Sequence, residues 1–253
     1  MKLKPKKKFG QHFLTNKLIA KKIVDNLNNT PSHLILEIGP GEGALTQFLI
    51  EKKNKIKLIE IDEEAIKILR IKFPQIDIIH DDFLKYDLTK SGNKKYIIVG
   101  NFPYNISTQI LFKILNSRDL VDEVVGMFQK EVADRICSAP NSKKYGIPSV
   151  LLQAFFNCQQ LFDVSANNFD PKPKVNSSVI KLTRNNKCDL GCDYKQFIQV
   201  VKSSFSQRRK KIKNALKNFT NLNDQRISQM ITKRAEELSV KDFIELTNTI
   251  KLK

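Results

Sequence analysis

Short apolar segments alternate with amphipathic stretches through most of this chain, and this alternation limits the fold more than any other feature. Apolar runs occur at residues 34–38, 56–61, 76–79, 96–99 and 121–128. Between them, residues 44–51, 63–72 and 106–115 place apolar side chains three and four positions apart, which is the period of a helix. Strands separated by helices of this length need crossover connections, which build a mostly parallel sheet covered on both faces. The pattern therefore predicts a Rossmann-like, doubly wound α/β fold.

The pattern changes after residue 150. A helix-like stretch at 150–158 is followed by two apolar runs, 159–164 and 175–182, without a helix between them. This arrangement predicts an antiparallel hairpin at the sheet edge. After a polar, Gly-containing break at 185–191, helical spacing returns at 197–216, 224–231 and 240–250. We therefore predict a large domain over residues 1–187, beginning with a basic arm at 1–10, and a small all-α domain over 188–253.

The charge of the chain is strongly basic and unevenly distributed. It has 44 Lys and Arg against 26 Asp and Glu, a formal net charge of +18. A general bias toward Lys, Asn and Ile would spread this excess evenly. Instead, residues 1–10 contain five Lys and no acid, and residues 193–253 contain 14 basic against 6 acidic residues. The charge at the two ends predicts a polyanionic partner such as a nucleic acid.

Other sequence features bear on the compartment. No stretch approaches the roughly 18 apolar residues of a membrane span, and no export signal is visible. The four cysteines stand at 137, 158, 188 and 192, and the last two lack the second pair of ligands that a structural zinc site needs. We expect reduced thiols, no metal site, no membrane contact and a cytoplasmic protein.

Three glycines follow the first predicted strand, at Gly39, Gly41 and Gly43. Glycine lets the backbone turn sharply and approach a ligand at the start of a helix, where unpaired N–H groups lie. In open α/β sheets, ligands bind beyond the carboxyl ends of the strands. The glycines therefore predict a cofactor site, and a purely structural tight turn is the alternative.

Two further strand ends carry acids. Glu60, followed by Ile61, stands 19 residues after Gly41, close to the interval of about 20 residues that is typical of a ribose-binding acid. Asp82 and Phe83 follow the third predicted strand, where a carboxylate can accept from an adenine amine and the ring can pack along the base. Either acid alone could be a solvated strand end. Together with the glycines they predict an adenosine-containing cofactor.

The fourth predicted strand ends in Asn101-Phe102-Pro103-Tyr104. The N6 amine of adenine is a poor nucleophile because its lone pair is delocalised into the ring. The Asn101 side-chain oxygen and a backbone carbonyl of this turn can accept from both N6 hydrogens and localise that lone pair, while Tyr104 stacks on an extruded base. The alternative is a proline turn with a packed aromatic ring.

The sequence resembles the ribosomal RNA adenine N6,N6-dimethyltransferase family nearly end to end. Its bacterial members dimethylate two adjacent adenosines near the 3′ end of small-subunit rRNA. The matching segments are 9–14, 37–46, 101–107, 129–136, 145–149, 169–177 and 205–211. The resemblance implies a class I methyltransferase fold, S-adenosylmethionine as cofactor, and small-subunit rRNA or an assembling small ribosomal subunit as partner of a monomeric enzyme.

The resemblance also implies roles for individual residues. Gln11, His12 and Leu14 would close over the cofactor, and Phe169 would hold the target base with Asn101 and Tyr104. The residues expected at the cofactor are then Gln11, His12, Leu14, Gly39, Gly41, Glu60, Ile61, Asp82, Phe83 and Asn101. Those expected at the reacting base are Asn101, Phe102, Pro103, Tyr104 and Phe169.

Three positions depart from the family pattern. Phe102 stands where Leu or Pro is more frequent, Asp170 where His is frequent, and Asn176 where Asp is frequent. Asn176 is common in a sister family, the large-subunit rRNA methylases that confer macrolide resistance. Residues 10–14 and 207–210 are instead typical of the small-subunit enzymes, which we favour.

Other functions remain open at this point. A DNA adenine N6 methyltransferase shares the Asn-x-Pro-Tyr chemistry, and a non-enzymatic RNA scaffold fits the charge. For the four consecutive cations Arg208, Arg209, Lys210 and Lys211 we predict contact with RNA phosphates. The competing interpretation is that this run caps and solvates a helix.

Overall fold

The computed structural model describes residues 3–92, 94–185 and 189–252. Its main feature is a seven-stranded sheet. The strands are β1 (Leu34–Ile38), β2 (Lys55–Glu60), β3 (Asp77–His80), β4 (Tyr96–Asn101), β5 (Val121–Gln129), β6 (Phe156–Val164) and β7 (Ser177–Arg184). Across the sheet their order is β3-β2-β1-β4-β5-β7-β6. The first five are mutually parallel, and β7 pairs antiparallel with β5.

Nine α-helices lie within the described residues. They are α1 (Lys17–Asp25), α2 (Thr46–Leu49), α3 (Glu63–Lys72), α4 (Ser107–Asn116), α5 (Lys130–Cys137), α6 (Ile147–Gln153), α7 (Tyr194–Ser206), α8 (Ile212–Ala215) and α9 (Val240–Thr249). None of the described helices is long and apolar enough to cross a membrane.

The central strands are buried on both faces. Every residue of β1 is buried, as are the first five of β4. Parallel strands covered by helices on both sides show this continuous burial rather than alternation. In one hydrophobic cluster of the core, α1 and α2 pack against these strands. Its buried side chains include Ile23, Leu49, Ile35 and Val99. The predicted doubly wound α/β domain is confirmed, with the five parallel strands within two residues of their predicted bounds.

Two local predictions were wrong. The helix predicted over 150–158 ends at Gln153, and strand β6 begins at Phe156. Phe155 and Phe156 are both buried, so tertiary packing outweighs the helical spacing of the segment. The helix predicted over 44–51 is only the short α2, because the glycine turn extends to Leu45. Strands β7 and β6 do lie side by side at the sheet edge, as predicted.

The chain divides into two compact units. Unit 1 comprises Met1–Ala133 and Gln159–Arg184, and unit 2 comprises Asp134–Cys158 and Asn185–Lys253. Unit 2 therefore includes residues 134–158, which the sequence had placed in the large domain. The predicted boundary at 187/188 falls within residues 186–188, outside the described residues, as does the first cysteine of the 188/192 pair.

Unit 2 is not purely helical. A short antiparallel pair joins Phe219–Thr220 to Lys251–Leu252. The helix predicted over 197–216 is divided into α7 and α8, and the segment predicted at 224–231 forms two short 3-10 turns. The break between α7 and α8 contains the four consecutive cations, whose repulsion at helical spacing disfavours a continuous helix.

Candidate active site

Two adjoining cavities lie in unit 1 at the carboxyl ends of β1, β2 and β4. Their volumes are about 220 Å³ and 620 Å³. Both are lined by Phe13, Gly39, Gly41 and Asn101, so these residues stand where the two spaces meet. This is the edge at which open α/β sheets bind ligands.

The glycine turn after β1 requires glycine for conformation and for space. Gly39, Gly41 and Gly43 all have positive φ values, 64°, 56° and 86°. A Cβ atom on Gly43 would lie 2.4 Å from the ring of Phe73, at the end of α3. The Lys72 ammonium donates to the carbonyl of Glu42 over 2.9 Å. The turn is thus fixed from α3 and borders both cavities.

Glu60, at the end of β2, is held by backbone donors. Its Oε2 accepts from Gly41 N–H (3.1 Å), and its Oε1 accepts from the N–H groups of Ile61 and Asp62 (2.9 Å each). Burial raises the pKa of Glu60, and the three N–H donors oppose that effect. Because each carboxylate oxygen carries two lone pairs, this fixed carboxylate keeps acceptor capacity toward the smaller cavity, which it lines.

Asp82 and Phe83 line the same cavity beyond β3, together with the exposed Ile61. Asp82 Oδ1 accepts from Leu84 N–H at 2.9 Å, and its Oδ2 makes no hydrogen bond within the described chain. Lys113, which the sequence did not single out, supports this loop from α4. Its ammonium donates to Leu84 O (3.1 Å) and lies 5.6 Å from the Phe83 ring centroid. Burial lowers the pKa of Lys113.

Residues 8–13 of the N-terminal arm line the smaller cavity, and the arm is fixed to the loops that follow β1 and β2. Lys6 forms an ion pair with Asp62 (2.6 Å), and Gln11 Nε2 donates to the other oxygen of Asp62 (3.1 Å). These contacts lower the pKa of Asp62, although burial of that carboxyl opposes them. Leu3 is buried, and its N–H donates to Glu42. Lys6 is therefore bound to an internal acid and is not a free contact for a polyanion.

Asn101 lies at the end of β4 with its amide oriented by the arm. Its Nδ2 donates to the carbonyl of His12 at 2.7 Å. Since a carbonyl can only accept, this bond fixes which end of the amide is the nitrogen. The Oδ1 atom has no hydrogen-bond partner among the described residues, and Asn101 lines both cavities. It is available to accept from a ligand amine.

Tyr104 and His12 form an aromatic pair beside Asn101. Their ring centroids are 5.3 Å apart with an interplanar angle of 26°. His12 Nδ1 donates to Pro171 O over 2.7 Å. The Tyr104 hydroxyl is 2.6 Å from Ser177 Oγ. The His12 ring is thus held from the segment that precedes β7, and the Tyr104 ring is held from the first residue of β7.

Phe102 is buried, with 1% of its surface exposed. Its ring lies across two paired glycines, Gly100 on β4 and Gly126 on β5, where Cβ atoms would come within 2.6 and 2.2 Å of it. The ring also packs edge-on against Phe128, at 5.1 Å between centroids. The side chain of Phe102 therefore anchors the turn, while Pro103 lines the smaller cavity.

Leu14 and Phe169 are brought together, and both are buried. They are register partners in a two-stranded pair that joins Phe13–Leu14 to Phe169–Asp170. Leu14 lines the larger cavity. Phe169 is only 5% exposed and lines neither described cavity, so a contact with a base would require it to move.

Glu37 is a buried acid of β1. It belongs to the matching segment 37–46, but we predicted no role for it from the sequence. It lines the larger cavity and accepts from the Thr46 hydroxyl at 2.6 Å. Burial raises the pKa of Glu37 to about 8, and the Glu60 charge acts in the same direction. The side chain is therefore largely protonated at neutral pH.

The predicted RNA-binding run lies in unit 2, and its four members differ. Arg208 Nε pairs with Glu236 at 2.7 Å, and Nη2 donates to the carbonyls of Lys143 and Tyr145. Arg209, Lys210 and Lys211 are exposed and form no ion pair among the described residues. Arg208 thus supports the fold of unit 2, whereas the other three side chains are accessible.

Four residues of the candidate site were not predicted from the sequence, and most of them hold other residues of the site in place. They are Lys6, Asp62, Lys113 and Ser177. Asp62 had a detectable signal, since an acid followed by Glu63 and Glu64 is typical of a helix N-cap, and it does cap α3. The other three have no sequence signal because their partners are distant along the chain.

Comparison with known proteins identifies the family. The model of the ribosomal RNA adenine dimethylase family matches residues 2–252. Ribosomal RNA small subunit methyltransferase A of Cytophaga hutchinsonii is 51% identical, covering 98% of each chain, and that of Flavobacterium johnsoniae is 49% identical, covering 98% of this chain and 97% of the relative.

Solved structures agree with these relatives. A dimethyladenosine transferase from Plasmodium falciparum superposes with a TM-score of 0.81 at 26% identity, over 93% of this chain and 96% of that one. The 23S rRNA methyltransferase ErmE has a TM-score of 0.73 at 22% identity, over 93% and 99%, and shows the fold alone. The predicted class I methyltransferase fold is confirmed. The chain therefore belongs to the ribosomal RNA adenine dimethylase family.

Proposed function

We propose that this protein transfers methyl groups from S-adenosylmethionine to the N6 amine of adenosines in small-subunit rRNA. The observation that carries the proposal is the Asn101 amide, which His12 orients so that Oδ1 is an unused acceptor where the two cavities meet. Asn101 lines the smaller cavity together with Glu60 and Asp82, two carboxylates suited to an adenosine cofactor.

The residues of the smaller cavity fit the adenosine part of S-adenosylmethionine. Glu60 offers a fixed carboxylate to the ribose hydroxyls, and Asp82 Oδ2 offers an acceptor to the adenine amine. Phe83 and Ile61 supply apolar surface for the base, and Gln11 lies on the arm that covers it. When bound, the cofactor supplies an electrophilic methyl group on a sulfonium.

The residues of the Asn101 turn would act on the target base. Asn101 Oδ1 and a backbone carbonyl of the turn accept from the N6 hydrogens, which localises the nitrogen lone pair toward the methyl group. Tyr104 stacks on the extruded base, supported on its other face by His12. No general base is required, because the acidic N6 proton leaves after the new bond forms.

The substrate is inferred from the relatives. Those with 51% and 49% identity carry the name of a small-subunit enzyme, and the large-subunit enzyme in the comparison is 22% identical. We propose two adjacent adenosines near the 3′ end of the small-subunit rRNA as the target. The retained acceptors of the site argue against a purely structural RNA scaffold.

Methyl transfer from labelled S-adenosylmethionine tests the proposal. The purified protein is offered small-subunit rRNA, assembling small subunits, large-subunit rRNA and duplex DNA, and the products are mapped by mass spectrometry. We expect N6,N6-dimethyladenosine in the small-subunit substrates. Methylation only of large-subunit rRNA or of DNA, or no methylation of any substrate, would contradict it.

A further inference from the structure

We propose that the segment of residues 171–176, with Lys172 and Lys174, is a rigid rim that binds RNA phosphates next to the extruded adenosine. The proposal rests on the proposed function for the identity of the base, and it adds an RNA-contacting surface within unit 1. We refer to residues 171–176 as the rim segment.

The rim segment is attached to the base site at both ends. At its start, Pro171 O accepts from His12 Nδ1 at 2.7 Å, and His12 stacks on Tyr104. Immediately after its end, Ser177 Oγ is 2.6 Å from the Tyr104 hydroxyl. Both ends are thus tied to the aromatic pair that faces the target base.

The last residue of the rim segment and its buried Pro173 fix the segment further. Asn176 O accepts from Lys130 N–H at 3.0 Å, and Asn176 Oδ1 accepts from Ala166 N–H at 3.1 Å. Pro173 is buried, and proline restricts the backbone at positions 171 and 173. Ordering these residues on RNA binding would therefore cost little conformational entropy.

The side chains of the two lysines of the rim segment are accessible. Lys172 and Lys174 are exposed on either side of the buried Pro173, so both side chains lie on the solvent side of the segment. Neither forms an ion pair in the described parts of the chain. Two other lysines of unit 1 differ in this respect, since Lys6 pairs with Asp62 and Lys130 pairs with Asp163, each at 2.6 Å.

Extruding a base needs contacts of this kind. An enzyme that acts on a base inside structured RNA must unpair it and hold it outside the stack, at a cost of a few kcal/mol. Contacts to phosphates set the position of the backbone and supply most of the sequence-independent affinity. Two cations on a backbone segment that is tied to the His12–Tyr104 pair at both ends can hold the phosphates that flank the base as it enters the site.

The test compares charge removal at two places with the same spacing. The first variant carries Lys172→Gln and Lys174→Gln. The matched control carries Lys53→Gln and Lys55→Gln, two exposed lysines at the amino end of β2, away from the carboxyl edge of the sheet. A third variant carries Lys172→Arg and Lys174→Arg, which keeps the charge. Equilibrium binding of small-subunit rRNA is measured at several salt concentrations, together with S-adenosylmethionine affinity and melting temperature.

We expect the rim variant to lower the slope of log affinity against log salt by about 1.4–1.8, the value for two phosphate contacts, and to weaken binding about tenfold at moderate salt. The arginine variant and the Lys53/Lys55 control should behave as wild type, and all three should keep cofactor affinity and melting temperature. The proposed phosphate contacts of Lys172 and Lys174 would be contradicted by a salt slope in the rim variant equal to that of wild type. An equal loss of RNA affinity in the Lys53/Lys55 control would also contradict them. Binding is measured separately from methylation, so a wild-type protein that binds RNA without methylating it would overturn only the proposed function.

Discussion

The two units of the chain use charge differently. In unit 1, the charged groups at the cavities are fixed by the fold: Glu60 accepts three backbone N–H groups, and Asp62 is bound by Lys6 and Gln11. In unit 2, Arg209 and Lys210 are exposed without ion pairs among the described residues. Fixed dipoles and buried carboxylates suit a small ligand of defined shape, and exposed cations suit a long polyanion. The comparison predicts that substitutions in unit 1 cavities change chemistry and cofactor affinity, while those on the unit 2 surface change RNA binding.

The largest expected effect is that of Asn101→Ala. Removing Oδ1 takes away the acceptor that we propose activates N6, and turnover should fall about 100-fold or more, by analogy with the loss of one group that stabilises a transition state. Affinities for S-adenosylmethionine and RNA should remain near wild type, as measured by calorimetry and by equilibrium binding. A variant that retains the wild-type turnover would remove Asn101 from the reaction.

Glu60→Ala should act on the cofactor alone. The loss of charge-assisted hydrogen bonds to the ribose should weaken S-adenosylmethionine binding by roughly 1.5–3 kcal/mol, or about 10- to 150-fold. RNA affinity measured without cofactor serves as the control and should not change. Unchanged cofactor affinity by calorimetry would exclude Glu60 from the site and would weaken the contrast between the units.

The cations of unit 2 should separate into two classes. Replacing Arg209, Lys210 and Lys211 by Gln should lower the salt slope of RNA binding by about 2.1–2.7 without changing the melting temperature. Arg208→Gln should lower the melting temperature and leave the slope unchanged, because this side chain binds Glu236 and the carbonyls of Lys143 and Tyr145. If Arg208→Gln instead reduces the slope, the run acts as one RNA-binding surface.

The last prediction concerns Glu37, whose expected effect is small within any one pH unit. The pKa of this group is about 8 in the fold against an ordinary value of 4.5, so the folded state holds a proton that the unfolded state loses. Its contribution to stability is complete below pH 4.5 and declines as pH rises toward 8, by at most about 1.4 kcal/mol per pH unit. The Gln side chain cannot ionise. The free energy of unfolding of Glu37→Gln, measured with urea, should therefore decline less than that of wild type between pH 5 and 8. A variant with the same decline as wild type would show that other groups cause it.

Much of the site could be predicted from the sequence because its residues follow strands. Gly39, Glu60, Asp82 and Asn101 each end or follow a parallel strand, and the carboxyl ends of parallel strands meet at one edge. The prediction for Phe169 was less complete. The motif placed it at the base, but its ring is buried against Leu14 and lines neither described cavity.

Hydrophobic period and motif spacing are local properties, so the sequence was sufficient to predict the five parallel strands, the residues at their ends and the family resemblance. The tertiary structure determines which charged side chains form ion pairs and which are exposed without one among the described residues. Lys6 meets Asp62 across 56 positions and Arg208 meets Glu236 across 28, and no local pattern encodes such pairs. It also decided the protonation of Glu37, since burial raises the pKa of a carboxyl only when distant parts of the chain exclude water from it.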